Sequence, residues 1–113
     1  MSDAEAYVRV ASAVEIPEGE LRGYELADGP VVLGRIEQVV FALLDECPAD
    51  GCVLSDGALD EVAEAVVCPC DTSAFDVRTG EPVEGPAVDP VPVRRVRVQD
   101  GWVEVGPEIG GDG

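Results

Sequence analysis

Histidine and lysine are both absent from this 113-residue sequence, and aromatic side chains make up only 4% of it. Without histidine, the chain lacks the side chain that most often acts as a general acid or base near neutral pH. No apolar run reaches the roughly 20 residues that a membrane-spanning helix needs. These absences count against an enzyme with its own catalytic constellation and against a membrane span.

Positive charge is scarce as well. Seven arginines stand against 24 Asp and Glu residues, which gives a formal net charge of −17. Phosphate contacts need a basic surface, so this balance counts against nucleic acid as a partner. Because the acids are spread along the whole chain, the composition favours the hydrated carboxylate surface of a salt-adapted, halophile-like protein. Steering toward a basic redox partner is the alternative.

The length indicates one small domain over residues 1–113, with an acidic, glycine-rich tail over about 107–113. The first residues, Met1-Ser-Asp-Ala-Glu, do not resemble a signal peptide, and we therefore expect a cytoplasmic protein. Four cysteines in a cytosolic chain point first to metal or redox chemistry and second to structural disulfides.

Alternating apolar residues and frequent turn signals predict an all-β fold. The 13 glycines and 9 prolines favour short strands joined by turns. A proline-rich passage from Pro82 to Pro92 is expected to hold little regular structure. We expect strands at 7–11, 21–26, 31–33, 39–44 and 66–67, and a closing hairpin that pairs 95–98 with 102–105. Together these strands predict a small antiparallel β-sandwich or barrel.

The four cysteines fall into two clusters with fifteen residues between them, Cys47-Pro-Ala-Asp-Gly-Cys52 and Cys68-Pro-Cys70-Asp71. Leu-Ser-Asp-Gly follows at 54–57, Phe-Asp-Val-Arg-Thr-Gly at 75–80 and Gly-Pro-Ala at 85–87. This joint spacing resembles that of Rieske-type 2Fe–2S ferredoxins, whose boxes are Cys-x-His and Cys-Pro-x-His-Gly. The resemblance covers nearly the whole chain. It implies a Rieske-like domain with its two Cys-bearing loops at one end.

The resemblance also implies roles for individual residues. Cys47 and Cys68 take the positions of the two cysteine ligands of the cluster. Cys52 and Cys70 take the positions of a disulfide that ties the two loops together. Ser73 matches the serine whose hydroxyl hydrogen-bonds the cluster.

Both histidine ligands of the family pattern are missing. Ala49 stands at the first position and has no donor atom, whereas Asp71 stands at the second and offers a hard, anionic oxygen. Thr72 also replaces the glycine that follows the second histidine. A Rieske centre needs two Cys and two His, and an ordinary one is therefore excluded.

Four alternatives remain for the site. The first is a cluster-free fold in which Cys47 and Cys68 approach disulfide distance, giving two bridges or four free thiols. The second is a 2Fe–2S cluster held by all four cysteines, and the third is one held by Cys47, Cys68, Asp71 and one more group. The fourth is a single Zn or Fe ion held by four thiolates. The missing histidines slightly favour the first.

By resemblance, the chain is an electron-transfer or accessory subunit that works beside a larger redox enzyme or a reductase, and is not an enzyme itself. The alternative is a cluster-free structural or docking module, similar to nitrite reductase small subunits. The basic cluster of Arg94, Arg95 and Arg97 is interpreted as strand positions paired with Glu104, with docking of an acidic partner as the alternative.

Overall fold

A computed structural model describes residues 7–109, which form ten strands in two antiparallel sheets. The first sheet has six strands in the order β1-β10-β9-β4-β3-β2, and the second has four in the order β5-β6-β7-β8. The prediction of an all-β antiparallel fold is confirmed. The strands are β1 (Val8–Ser12), β2 (Leu21–Leu26), β3 (Gly29–Ile36), β4 (Val39–Leu44), β5 (Ala58–Asp60), β6 (Ala65–Val67), β7 (Ala74–Asp76), β8 (Pro82–Glu84), β9 (Val93–Gln99) and β10 (Trp102–Ile109).

Several strands have the bounds that the sequence pattern predicts. Strands β2 and β4 coincide with the expected ranges, and the closing hairpin pairs Val98 with Val103. The proline-rich passage differs from its prediction, because Pro82–Glu84 forms strand β8 against β7. The passage around Leu59 is a hairpin of β5 and β6.

Strands β3 and β4 separate two hydrophobic cores. Side chains alternate across a strand, so Val32 and Leu43 face one core while Val31, Leu33 and Ala42 face the other. The first core lies between the two sheets and also contains Leu54, Val66, Phe75 and the two cysteines Cys47 and Cys68. Both sheets therefore contribute to the packing that positions the cysteine loops.

The ends of the chain reach beyond the described part. Strand β10 extends to Ile109, so residues 107–109 of the expected tail lie in a strand, while 110–113 are outside the described residues. The acidic segment that begins at Met1 is outside them too.

Between residues 7 and 109, no helix has the length and apolar character needed to cross a bilayer.

Candidate metal centre

Two loops come together beside the first core and present four donor side chains to one another. The first loop leaves β4, and the second joins β6 to β7. Donor atoms of Cys47, Asp50, Cys68 and Asp71 all lie within 4.8 Å of one another. Cys47 and Cys68 are each 1% exposed. Asp71 is half-buried and Asp50 is exposed. The expected adjacency of the two cysteine loops is therefore present in the structure.

The first loop is shaped by a buried carboxylate and a tight turn. Both oxygens of Asp45 accept hydrogen bonds from Ser55, one from its backbone N–H and one from its hydroxyl, each at 2.6 Å. Within the loop, the Cys47 N–H donates to the Cys52 carbonyl at 2.8 Å, and the Gly51 N–H donates to the Cys47 carbonyl at 2.8 Å. Asp45 thus has a structural role, and the turn directs Cys47 into the core.

The second loop forms a similar turn around Cys68. The Cys68 N–H donates to the Ser73 carbonyl at 2.7 Å, and the Thr72 N–H donates to the Cys68 carbonyl at 3.2 Å. Thr72 has φ +62°, in the left-handed region that glycine adopts more easily. The loop therefore keeps a left-handed turn although the glycine of the family pattern is absent.

Ser73 fastens this loop to the passage that follows β8. Its side chain is buried, and its hydroxyl accepts the N–H of Ala87 at 3.0 Å. Gly85 has φ +92°, and a Cβ there would lie 2.5 Å from the Ser73 Cα, so only glycine fits. The structure thus shows a structural contact for Ser73, whereas its cluster-bonding role stays a prediction.

A disulfide links the two loops. Cys52 and Cys70 are bonded, with 6.4 Å between their Cα atoms, whereas Cys47 and Cys68 are free thiols. The structure thus has one bridge and two thiols, instead of the two bridges or four thiols expected for a cluster-free site. Since the bridge occupies two sulfurs, the structure does not support a cluster or a single ion held by four thiolates.

Asp50 also belongs to the donor group, although the family pattern assigns it no role. Its Oδ1 accepts the N–H of Cys52 at 2.9 Å, and the thiol of Cys68 lies 3.7 Å from both of its oxygens. Asp71 repeats this arrangement from the other loop. Its Oδ1 accepts the N–H of Ser73 at 2.9 Å, and the thiol of Cys47 lies 4.0 Å from its Oδ2. Each carboxylate therefore faces the cysteine of the opposite loop.

A signal in the sequence could have identified Asp50. Both loops carry Cys-Pro-x-Asp, at 47–50 and at 68–71. Alignment with the histidine positions of the family directs attention to Ala49 instead, one residue too early. The Ala49 side chain is exposed and has no donor atom.

Protonation in the group follows from burial and local hydrogen bonds. Burial raises the pKa of the Cys68 thiol to about 11, against the smaller lowering by backbone N–H groups. The backbone N–H of Ser73 lowers the pKa of Asp71 below its usual value. Near neutral pH the metal-free group therefore pairs a neutral Cys68 thiol with an ionised Asp71.

The residues present do not fit the 2Fe–2S centre of the family that the sequence resembles. Two imidazoles are replaced by two carboxylates, which are hard and anionic where imidazole is neutral. All four donors also lie within 4.8 Å of one another, close enough to share one coordination sphere. A two-iron cluster instead distributes its ligand pairs over two separate irons.

Comparison with known proteins supports the fold and extends the resemblance. A family model described as "Rieske [2Fe-2S] domain" matches residues 6–97. The anthranilate 1,2-dioxygenase ferredoxin subunit of Burkholderia cepacia is 34% identical over 91 residues, which cover 80% of this chain and 82% of that protein. The ferredoxin of carbazole 1,9a-dioxygenase from Nocardioides aromaticivorans IC177 superposes with a TM-score of 0.86 at 28% identity, covering 90% and 98%.

Two further structures bear on the choice between a carrier and a docking module. One is a complex of reduced oxygenase and oxidized ferredoxin in carbazole 1,9a-dioxygenase, matched with a TM-score of 0.83 at 30% identity over 91% of this chain and 94% of that one. The other is a putative NADH-dependent nitrite reductase small subunit from Mycobacterium tuberculosis, with a TM-score of 0.77 at 27% identity over 88% and 92%.

Proposed function

Because the chain belongs to the Rieske [2Fe-2S] domain family, we propose that it is a ferredoxin-type subunit with an altered site that docks on a larger redox enzyme. In this role it is an electron-transfer or accessory component and has no catalytic activity of its own. The observation that carries the proposal is the match to a ferredoxin seen together with its oxygenase, over 91% of this chain and 94% of that one.

The surface of the cysteine loops has the character of a docking face. Pro48 and Pro69 are exposed on the two loops, and Val53, beside the disulfide, is 44% exposed. The same loop also carries the exposed acids Glu46 and Asp50. Exposed apolar residues with acids on the same loop suit a weak electron-transfer contact with a basic surface on the partner.

A second candidate function is a structural or docking module without redox chemistry. The absence of both histidines favours it, as does the likeness to a nitrite reductase small subunit. The two functions share the docking step and differ in electron transfer. A protein purified without a coloured centre but bound to its partner would support the module.

The docking step can be tested by affinity purification of the tagged chain from its native host. We expect an oxygenase, a reductase or another large redox enzyme to co-purify with the chain. Val53→Arg places bulk and positive charge on the proposed face, and should abolish that capture. The matched control is Val14→Arg, because Val14 is 87% exposed on the short 3-10 turn (Ala13–Glu15) after β1.

Two outcomes of this purification would contradict the proposal. One is the recovery of no redox enzyme at all. The other is a redox enzyme that Val53→Arg and Val14→Arg both retain, because the contact would then lie elsewhere on the molecule.

The chain would act as one domain over residues 1–113 in the cytoplasm, and its acidic surface would be an adaptation to salt. Cell fractionation of the native host tests the location. Limited proteolysis tests the single domain, for which we expect no stable fragment shorter than residues 7–109.

A further inference from the structure

We propose that Cys47, Asp50, Cys68 and Asp71 bind one divalent transition-metal ion, Zn²⁺ or Fe²⁺, where the family pattern would place a two-iron cluster. The inference concerns the isolated chain, and it does not depend on the partner enzyme proposed above. Two loops each supply one thiol and one carboxylate to this Cys₂Asp₂ group, and the disulfide holds these loops together.

The size of the group fits a single tetrahedral ion. With metal–sulfur bonds near 2.3 Å and metal–oxygen bonds near 2.1 Å, a tetrahedral site sets sulfur and oxygen about 3.6 Å apart. The Cys68 sulfur lies 3.7 Å from the Asp50 carboxylate, and the Cys47 sulfur lies 4.0 Å from Asp71. Both separations are within about 0.4 Å of the tetrahedral value, and all four donor atoms lie within 4.8 Å of one another.

The way each carboxylate is held leaves it able to coordinate an ion. In both loops, Oδ1 accepts a backbone N–H from the residue two positions later, which fixes the side chain. The carboxylate then faces a buried thiol of the opposite loop, and a thiol is only a weak hydrogen-bond donor. The structure therefore pre-positions two oxygens and two sulfurs from loops that share Cys-Pro-x-Asp.

The donor types select the class of ion. Two thiolates favour Zn²⁺ or Fe²⁺ over Mg²⁺ and Ca²⁺, which prefer all-oxygen sites. Four protein ligands without an open position are typical of a structural site. On binding, the two thiols lose their protons to solvent, two metal–sulfur bonds and two metal–oxygen bonds form, and no electron is transferred.

Metal analysis of the purified protein tests this inference. The chain is expressed with iron and zinc both supplied, and metal and acid-labile sulfide are measured per chain. We expect one Zn²⁺ or Fe²⁺ and no sulfide. Replacement of the ion by Co²⁺ should produce thiolate-to-cobalt charge-transfer bands and the intense d–d bands of tetrahedral cobalt.

Two ligand variants and two control variants define the donor set. Asp50→Ala and Asp71→Ala should each weaken Co²⁺ binding by at least about tenfold, since loss of even outer-shell groups costs 10–100-fold. Glu46→Ala and Asp56→Ala remove exposed acids near the first loop that are not in the donor group, and should leave the affinity unchanged. Circular dichroism of each variant shows that the fold is retained.

Several results would overturn the inference. Two irons and two sulfides per chain would show a cluster instead of a single ion. Failure of the wild-type chain to bind either Zn²⁺ or Co²⁺ would show that the group is not a metal site. Wild-type affinity in Asp50→Ala or Asp71→Ala would show that the assigned ligands are wrong. Each result is distinguishable from failure of the docking proposal, which is measured by partner capture.

Discussion

Among residues 7–109, Thr72 is the β-branched residue whose backbone has a positive φ. Left-handed φ values are uncommon outside glycine, asparagine and aspartate, and they are least favourable for β-branched residues. Thr72 nevertheless has φ +62° in the turn between Asp71 and Ser73. The two flanking residues are hydrogen-bonded to each other, and they hold the turn in place.

Replacing Thr72 by glycine should therefore stabilise the protein. The left-handed conformation costs about 1–2 kcal/mol for an L-residue. Glycine avoids this cost, but its greater flexibility in the unfolded chain cancels roughly half of the gain. We expect Thr72→Gly to raise the free energy of unfolding by about 0.5–1 kcal/mol in urea titrations. Thr79→Gly is the control. Thr79 does not have a positive φ, and this change should lower stability. A destabilised Thr72→Gly protein would contradict the strain argument.

Asp45 offers a second prediction for a single residue. Its carboxylate accepts both hydrogen bonds from Ser55, and the pair packs against Gly23 of β2, where a Cβ would lie 2.6 Å from the Ser55 hydroxyl. Asp45→Ala leaves these donors without a partner, which should cost about 2 kcal/mol of stability. Urea unfolding measures the loss. Glu46→Ala, at the exposed neighbour, should stay within about 0.5 kcal/mol of wild type, and equal effects of the two changes would refute the role of Asp45.

At the scale of secondary-structure elements, local signals explain which strands the sequence predicts. Asp28-Gly29 and Asp100-Gly101 mark tight turns, and alternating apolar residues flank each turn. The closing hairpin therefore forms where it is expected, and Asp28-Gly29 joins the paired strands β2 and β3. Strand β8 was not predicted because prolines usually disrupt strands. It lies at the edge of the second sheet, where Pro82 needs no N–H for a further neighbour.

The sequence pattern does not predict which distant segments pair with each other. The pairing of β1 with β10 and the division into two sheets depend on packing between distant segments. At the site, the family resemblance indicated Cys47, Cys68 and Asp71. Asp50 was missed because the family pattern aligns Ala49 with the first histidine position, and because the fold brings Asp50 beside Cys68, 18 residues away.

The disulfide is the element whose contribution to stability is most directly testable. It closes a loop with a sequence separation of 18 that includes the β5–β6 hairpin, and chain-entropy estimates assign about 3 kcal/mol to such a bridge. Reductant should lower the urea midpoint of the wild-type chain accordingly. The Cys52→Ser/Cys70→Ser double variant should start at that lower midpoint and not respond to reductant. An unchanged wild-type midpoint would contradict the prediction.

The charge of the whole molecule dominates its long-range electrostatics. Within the basic cluster, Arg97 pairs with Glu104 at 2.6 Å as expected, whereas Arg94 differs from the prediction and pairs with Asp28 at 3.1 Å. Seven arginines nevertheless leave a net charge of −17. The excess carboxylates repel one another, and this repulsion is stronger in the folded state because folding brings them closer.

Stability should therefore increase with ionic strength. The screening length falls from about 30 Å at 0.01 M salt to about 3 Å at 1 M, which removes most of the repulsion. We expect the melting temperature to rise by at least about 5 °C over this range, equivalent to roughly 1 kcal/mol. Calorimetry in NaCl, repeated in KCl, measures the shift. A melting temperature that stays constant or falls would show that charge repulsion does not limit the stability of the folded state.

The bridge between Cys52 and Cys70 also determines how the molecule transmits a pulling force. Tension applied at residues 7 and 109 passes through the sulfur–sulfur bond and bypasses the β5–β6 hairpin. The residues between the two cysteines, which are separated by 18 in sequence, carry no tension. The fully stretched chain is therefore shorter than that of the reduced protein by about 60 Å, at roughly 3.4 Å per residue. The segment between the two cysteine loops is therefore shielded from mechanical load until the bridge is reduced.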